Sequence, residues 1–182
     1  AKCLLGWTNT FTWKGFSLSF LIDGRFGGDI YSGTNRMLQA NGVAACTVVD
    51  GERNNFVVEG VIADGNGGYT PSTIAVSPQD YWTAVATSSG NLGIGEANLY
   101  SATNVRLRNL ALNYAFNKKQ LEKTPFQQLK LGVSCNNVWM IYSDMNGVDP
   151  ESVFATATNA TGFENAGSPT SRTFLFNVTL GF

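Results

Sequence analysis

The 182-residue sequence contains no histidine. Neither a Ser-His-Asp nor a Cys-His nucleophile system can therefore be assembled from it, and no His-ligated zinc site. Charge is scarce as well: 12 Lys and Arg stand against 13 Asp and Glu, and charged residues make up 14% of the chain, well below the roughly 25% usual in soluble domains. That balance excludes a basic nucleic-acid platform and an acidic disordered tail, so nucleic acid is not an expected partner. Cys3, Cys46 and Cys135 are odd in number and form no C-x-x-C pair; they indicate neither a disulfide framework nor a zinc knuckle and read as small apolar residues. No run approaches the roughly 18 apolar residues of a membrane-spanning helix, which leaves a membrane-spanning strand open. The opening residues Ala1 to Trp7 lack a charged n-region, an apolar h-region and a cleavage site, so the chain is expected to carry no signal peptide and to be either cytoplasmic or missing its start. Asp and Glu scatter through presumed loops with no spacing that pairs them, and no catalytic residue or cofactor is expected.

What the sequence does have is glycine (20 residues), 12% aromatics and many Asn, Thr and Ser, with hardly any stretch of helical periodicity. The composition reads as one all-β domain with long loops. Period-two alternation is cleanest near 172–182, where Phe174, Phe176, Val178, Leu180 and Phe182 share one face and Thr173, Leu175, Asn177, Thr179 and Gly181 the other. Near 15–28, Phe16, Leu18, Phe20 and Ile22 alternate with Ser17, Ser19, Leu21 and Asp23. Near 4–13, Leu5, Trp7, Phe11 and Trp13 alternate with Thr8, Thr10 and Thr12, and Lys14-Gly15 makes a tight hairpin connection. Near 104–116, Leu110, Leu112, Tyr114 and Phe116 oppose Asn109, Ala111, Asn113 and Ala115; near 127–138, Leu129, Leu131, Val133 and Cys135 oppose Lys130, Gly132, Ser134 and Asn136. Each segment has the roughly nine to eleven residues that a tilted strand needs to cross a bilayer.

Two architectures give this pattern. One is a soluble or surface β-sandwich, in function a carbohydrate-binding module presenting exposed aromatics; the other is part of an outer-membrane barrel. The polar faces are Thr, Ser, Asn and Gly rather than Lys and Glu, and large aromatics sit toward strand ends as interfacial girdles do, which favours the barrel. So do the connections, which alternate between short turns and two long loops near 29–103 and 140–171, expected to be extracellular. About five strands are too few and odd in number for a closed single-chain barrel, so the chain is expected to be the closing portion of a larger one.

The residues also carry a family resemblance. The stretches Lys14-Gly-Phe-Ser-Leu-Ser-Phe-Leu-Ile-Asp-Gly-Arg-Phe-Gly-Gly28, Tyr31-Ser-Gly-Thr-Asn-Arg36, Asn41-Gly-Val43, Val58-Glu-Gly-Val61, Ser77-Pro-Gln-Asp-Tyr-Trp82, Asn104-Val-Arg-Leu-Arg-Asn-Leu-Ala-Leu-Asn-Tyr114, Asn136-Asn-Val-Trp139 and Gly147-Val-Asp-Pro-Glu151 occur in this order. In that order, with a terminal Phe, the chain resembles the C-terminal barrel portion of a SusC/RagA-family TonB-linked outer-membrane transporter. The resemblance implies a barrel of about 22 strands with an internal plug, located in the outer membrane, which imports oligosaccharides or peptides with a SusD-like surface lipoprotein. TonB would engage an N-terminal part that this sequence lacks, together with the plug and the earlier strands.

On that reading Ser17, Ser19, Asp23, Arg25, Asn109, Asn113, Lys130, Ser134 and Asn136 face the lumen, where they meet solute or plug or simply line a solvated wall. Phe16, Leu18, Phe20, Ile22, Leu110, Leu112, Tyr114, Phe116, Phe174, Phe176, Val178, Leu180 and Phe182 face lipid. Arg106 and Arg108 fall in phase with Leu110 and Leu112; they either meet lipid phosphates or, the favoured reading, pair with polar groups of a neighbouring strand across a bulge. Trp7 and Trp13 read as interfacial, and Tyr81 with Trp82 as the anchor of the long loop rather than a sugar platform. Asp144-Met-Asn-Gly-Val-Asp149 and Asp64-Gly-Asn-Gly-Gly68 superficially resemble calcium loops but lack the later bidentate Glu, and no metal is expected.

Overall fold

The structure, a computed structural model, describes residues 1–49, 51–91, 93–145, 147–154 and 159–182. In chain order the strands are β1 (Cys3–Trp13), β2 (Phe16–Phe26), β3 (Asp29–Ser32), β4 (Phe56–Val57), β5 (Val61–Ala63), β6 (Tyr69–Pro71), β7 (Ala75–Val76), β8 (Leu99–Ser101), β9 (Asn104–Ala115), β10 (Gln128–Ser143), β11 (Phe163–Glu164) and β12 (Thr173–Gly181). The helices are α1 (Gly33–Ala40), α2 (Pro78–Asn91) and α3 (Lys118–Leu121). They fall into two compact units, one of Ala1–Ile30, Tyr100–Val153 and Gly167–Phe182, the other of Tyr31–Leu99 and Phe154–Ala166.

The first unit is a five-stranded sheet in the order β1-β2-β9-β10-β12, with every neighbouring pair antiparallel. Its hairpin turn has positive φ at both central residues, 44° at Lys14 and 91° at Gly15, the backbone whose twist matches the flanking strands. Between β9 and β10, α3 starts at a capping box in which the Asn117 side chain takes the Gln120 N–H and the Gln120 side chain takes the Asn117 N–H.

Register brings the alternating patterns into continuous rows. Phe16 lies beside Tyr114, Leu18 beside Leu112 and Phe20 beside Leu110; those β9 residues pair with Leu131, Val133 and Cys135, which in turn pair with Val178, Phe176 and Phe174. This apolar face is open: Phe176 is 80% exposed, Phe174 and Val178 63% and Leu112 44%. A soluble sandwich buries such a face, and soluble monomers rarely expose apolar patches beyond a few hundred Å². The buried apolar cluster of the unit is small, Ile30, Ala102 and Met145 with Tyr100, Val148 and Val153 against it.

The second unit differs from a plain loop. Ser32 caps α1 by accepting the Asn35 N–H at 3.1 Å, and Ser77, just before Pro78, accepts the Asp80 N–H at 3.1 Å to start α2. The Arg36 guanidinium donates to the Ala86 carbonyl at 3.2 Å, tying the two helices. Two small antiparallel pairs, β4 with β7 and β5 with β6, complete it, and β11 runs parallel to β3 through Tyr31 and Ser32. Glu164 is 1% exposed; it accepts from the Ser32 hydroxyl at 2.8 Å and from the Thr34 hydroxyl.

β10 reaches Ser143 rather than ending near 138. Asn137 turns to φ 51°, and register shifts fall between Asn136 and Trp139 and between Met140 and Tyr142. The alternation breaks there while the hydrogen-bonded ladder continues.

A Cβ on Gly15 would sit 2.6 Å from the Ala115 carbonyl oxygen at a φ that disfavours any side chain, whereas a Cβ on Gly6 meets nothing within 4 Å. Gly15→Ala is expected to cost about 1–2 kcal/mol and Gly6→Ala far less, read as urea midpoints of the full-length parent refolded in detergent.

Candidate functional site

The second face of the sheet gathers the polar partners of the apolar rows. Ser17, Asn113, Gly132 and Asn177 form one row, and Ser19, Ala111, Ser134 and Leu175 the next. Leu21, Asn109, Asn136 and Thr173 follow, and there the Asn109 amide donates to the Asn136 carbonyl oxygen at 2.7 Å. Lys130 pairs with Ala115 and Thr179, Asp23 with Arg106 and Arg25 with Asn104. All nine polar residues singled out from the sequence thus share one face. The apolar candidates share the other, except that Phe116 and Phe182 lie just past their strands, with Phe116 edge-on to Tyr114 at 4.8 Å and Phe182 5.4 Å from Phe126.

Arg106 departs from its expected phase with Leu110. Asn109 pairs with Leu21 but Leu107 pairs with Ile22, so Arg108 is an extra residue in β9. This bulge shifts the phase by one and carries Arg106 opposite Asp23, on the polar face. Without it an arginine would sit on the apolar face, unpaired.

Both arginines are then clasped by the segment after β10. Arg106, 4% exposed, pairs with Asp149 and donates to the Thr170 hydroxyl at 2.8 Å. Arg108 donates to Asp23 at 2.6 Å and, through two nitrogens, to Glu151 at 2.6 and 2.8 Å. Asp149 also accepts the Thr170 N–H at 2.9 Å, so one carboxylate joins β9 to both ends of the connection between β10 and β12. Burial opposes the charged form of Asp149, but hydrogen bonds from Thr170, the Glu151 N–H and Arg106 outweigh it and bring its pKa down to about 2. The Arg108 hydrogen bond lowers the Glu151 pKa, against the opposing effect of burial.

The sequence signalled half of this clasp. Arg106 and Arg108 were visible as unusual cations in an apolar strand, but their loop partners some 40 residues on had only the Gly147-Val-Asp-Pro-Glu151 resemblance to mark them. The calcium-like reading of 144–149 includes Asn146, which lies outside the described residues, and Asp149 there binds arginine. In the other such loop, Asp64 accepts the Asn66 and Gly68 N–H groups at 2.8 and 2.9 Å, an Asx-type turn. Trp7 lies edge-on to Phe20 at 5.3 Å on the apolar face, and Tyr81 bridges Phe56 and Trp82 at 5.2 and 5.1 Å.

Because the folded-state pKa of Asp149 lies below its ordinary 3.8, the clasp contributes stability that is complete above that value and is lost as pH falls toward about 2. Protection of the 147–153 and 167–172 amides of the full-length parent, taken against the intrinsic exchange rate at each pH, is expected to fall between pH 4 and 2. Asp149→Asn leaves Arg106 buried beside a neutral partner, which is expected to cost about 3 kcal/mol and to flatten that pH dependence.

No family model matches the sequence. The TonB-dependent receptor P39 of Formosa agariphila is 30% identical over 151 residues, which cover 80% of this chain and 13% of that receptor. Among solved structures, that of the RagAB peptide transporter superposes with a TM-score of 0.60 at 18% identity, covering 97% of this chain and 17% of that one. The RagAB peptide importer in its open-open state gives a TM-score of 0.62 at 16% identity over 98% and 17% of the two chains. The chain therefore spans less than a fifth of the length of each of these relatives, which are a receptor and transporters rather than enzymes. A meander of long antiparallel strands with an uncovered apolar face is thus matched in sequence by part of a TonB-dependent receptor and in fold by part of the RagAB transporter, and the chain is similar to a portion of the barrel of such outer-membrane proteins.

Proposed function

We propose that the chain supplies five wall strands of a transporter that imports oligosaccharides or peptides across the outer membrane with a SusD-like lipoprotein as partner. TonB and an internal plug would belong to parts of the protein beyond this chain. Phe16, Leu18, Phe20, Ile22, Leu110, Leu112, Tyr114, Phe174, Phe176, Val178 and Leu180 face lipid, with Phe116 and Phe182 beside them. Ser17, Ser19, Asp23, Arg25, Asn109, Asn113, Lys130, Ser134 and Asn136 face the lumen, where they contact plug or solute. The 29–103 and 140–171 connections lie outside the cell.

The observation that supports this most is the division of one sheet into an exposed apolar face and a face of amides, hydroxyls and paired charges. Lipid stabilises the first and water the second, and backbone groups within each strand pair are satisfied by the ladder. RagAB, which the chain resembles in fold, is a peptide transporter, which supports solute import as the class of activity.

Phe176 pairs with Val133 on the apolar side and Asn177 with Gly132 on the polar side. Phe176→Arg places a charge on the lipid face and is expected to cost about 2–4 kcal/mol near mid-bilayer, while Asn177→Arg costs far less. Folding yield of the full-length parent into bilayers, scored by heat-modified gel mobility, reads the difference. Equal losses, or the reverse order, would contradict the assignment of faces.

A further inference from the structure

The two short connections of the first unit carry a charge imbalance that nothing in the fold uses. The hairpin turn at 14–15 and the 116–127 connection hold Lys14, Lys118, Lys119 and Lys123 against a single carboxylate, Glu122. All four lysines are exposed, and among the described residues no salt bridge engages any of them. At the other end of the same strands the arginines are neutralised, Arg106 by Asp149 and Arg108 by Asp23 and Glu151. Two groups at the turn end lie on the apolar side of the sheet. Trp13 pairs with Phe16, so its ring shares the apolar face, and the Lys14 ammonium is 5.1 Å from the centroid of that ring. Tyr114, on the same face, packs between Phe16 at 4.5 Å and Phe116 at 4.8 Å. Its Cε2 is 3.3 Å from where a Cβ of Gly15 would stand, so the phenol borders the Lys14 turn. The Tyr114 hydroxyl accepts from the Gln120 amide at 2.6 Å, which leaves its own proton free to donate.

We propose that this end of the sheet binds the headgroup of an acidic phospholipid. The phosphate takes the Lys14 ammonium and the Tyr114 hydroxyl, with Lys118, Lys119 and Lys123 supplying further positive potential beside it. Aromatic rings with polar tips at the edge of an apolar band mark where hydrocarbon gives way to headgroups. Here that edge coincides with the unpaired cations. Charge decides among lipids: an ethanolamine head brings its own ammonium into the field of four lysines, whereas a glycerol head brings the phosphate alone. Lys130, which pairs with Ala115 and Thr179 on the polar face, is turned away from lipid and takes no part. The inference rests on the import reading, in which the long connections lie outside the cell and these short ones therefore meet the inner leaflet.

The test exposes the full-length parent in detergent to equal amounts of phosphatidylglycerol and phosphatidylethanolamine with the same acyl chains, and counts the lipids retained by native mass spectrometry. Preferential retention of phosphatidylglycerol is expected. A lysine beside an acidic lipid is worth about fivefold in affinity, so Lys14→Gln should reduce the preference by about that factor. Adding Lys118→Gln and Lys119→Gln should abolish it; all three positions are exposed, and the variants fold as the parent does. Tyr114→Phe keeps the ring between its neighbours, loses the hydroxyl, and should lower phosphatidylglycerol retention. Lys2→Gln, just before β1 and at the other end of that strand from Lys14, should keep the preference of the parent. Equal retention of the two lipids by the parent, or a preference unchanged in the triple lysine variant, would overturn the inference. So would a loss in Lys2→Gln equal to that in Lys14→Gln, which would mark a response to net charge alone. A parent that forms a heat-modifiable barrel yet shows no preference refutes the headgroup site and leaves the import reading standing; one that never forms the barrel refutes that reading.

Discussion

Everything in the first unit depends on the cross-strand register that keeps two chemistries on opposite sides of one sheet. A slip of one residue between any two strands would throw Phe and Leu among Asn and Ser, because side chains alternate with a period of two. The rows are held from β1 to β12: Trp7 lies by Ile22 and Phe11 by Leu18, while Leu131 lies between Tyr114 and Val178. The hairpin at Lys14 and Gly15 sets the first pairing geometrically, and hydrophobic matching carries it onward.

The bulge at Arg108 breaks that register between β2 and β9, and the break is what brings Arg106 to the polar face. It lifts Arg106 to the polar face, where Asp149 and Thr170 reach it, and leaves Arg108 to Asp23 and Glu151. A breach in the β-ladder thereby becomes an anchor for the connection that leaves β10, since both carboxylates lie within a few residues of each other in that segment. The local and tertiary levels agree: extra residue, phase change, charge pairing and loop position are one solution.

Strand content was legible wherever alternation ran unbroken. Thr173 to Gly181 reads from sequence as it stands in the structure, and so do both faces of β2 and of β9 from Asn109 onward. Legibility stopped where geometry departs from period two. β10 continues to Ser143, five residues beyond the expected end near 138, through two register shifts that break the alternation. Helices α1 and α2 were missed for another reason: α1 buries Gly33, Asn35 and Gln39, polar or small residues that leave no apolar stripe at helical spacing. Their caps were present as Ser32 and as Ser77-Pro78 with Asp80, signals that an apolar-periodicity reading passes over. The polar-face residues were found because face follows from phase; the clasp partners Asp149 and Glu151 were not, because pairing over such separation is a tertiary fact.

The central claim is that this sheet separates lipid from water. Spin labels placed singly at each position from Leu110 to Tyr114 of the full-length parent in bilayers test it directly, by comparing collision with oxygen, which concentrates in lipid, and with a water-soluble nickel chelate. High oxygen accessibility at Leu110, Leu112 and Tyr114, alternating with higher nickel accessibility at Ala111 and Asn113, is the expected result. Uniform accessibility along the strand, or the opposite phase, would contradict the account.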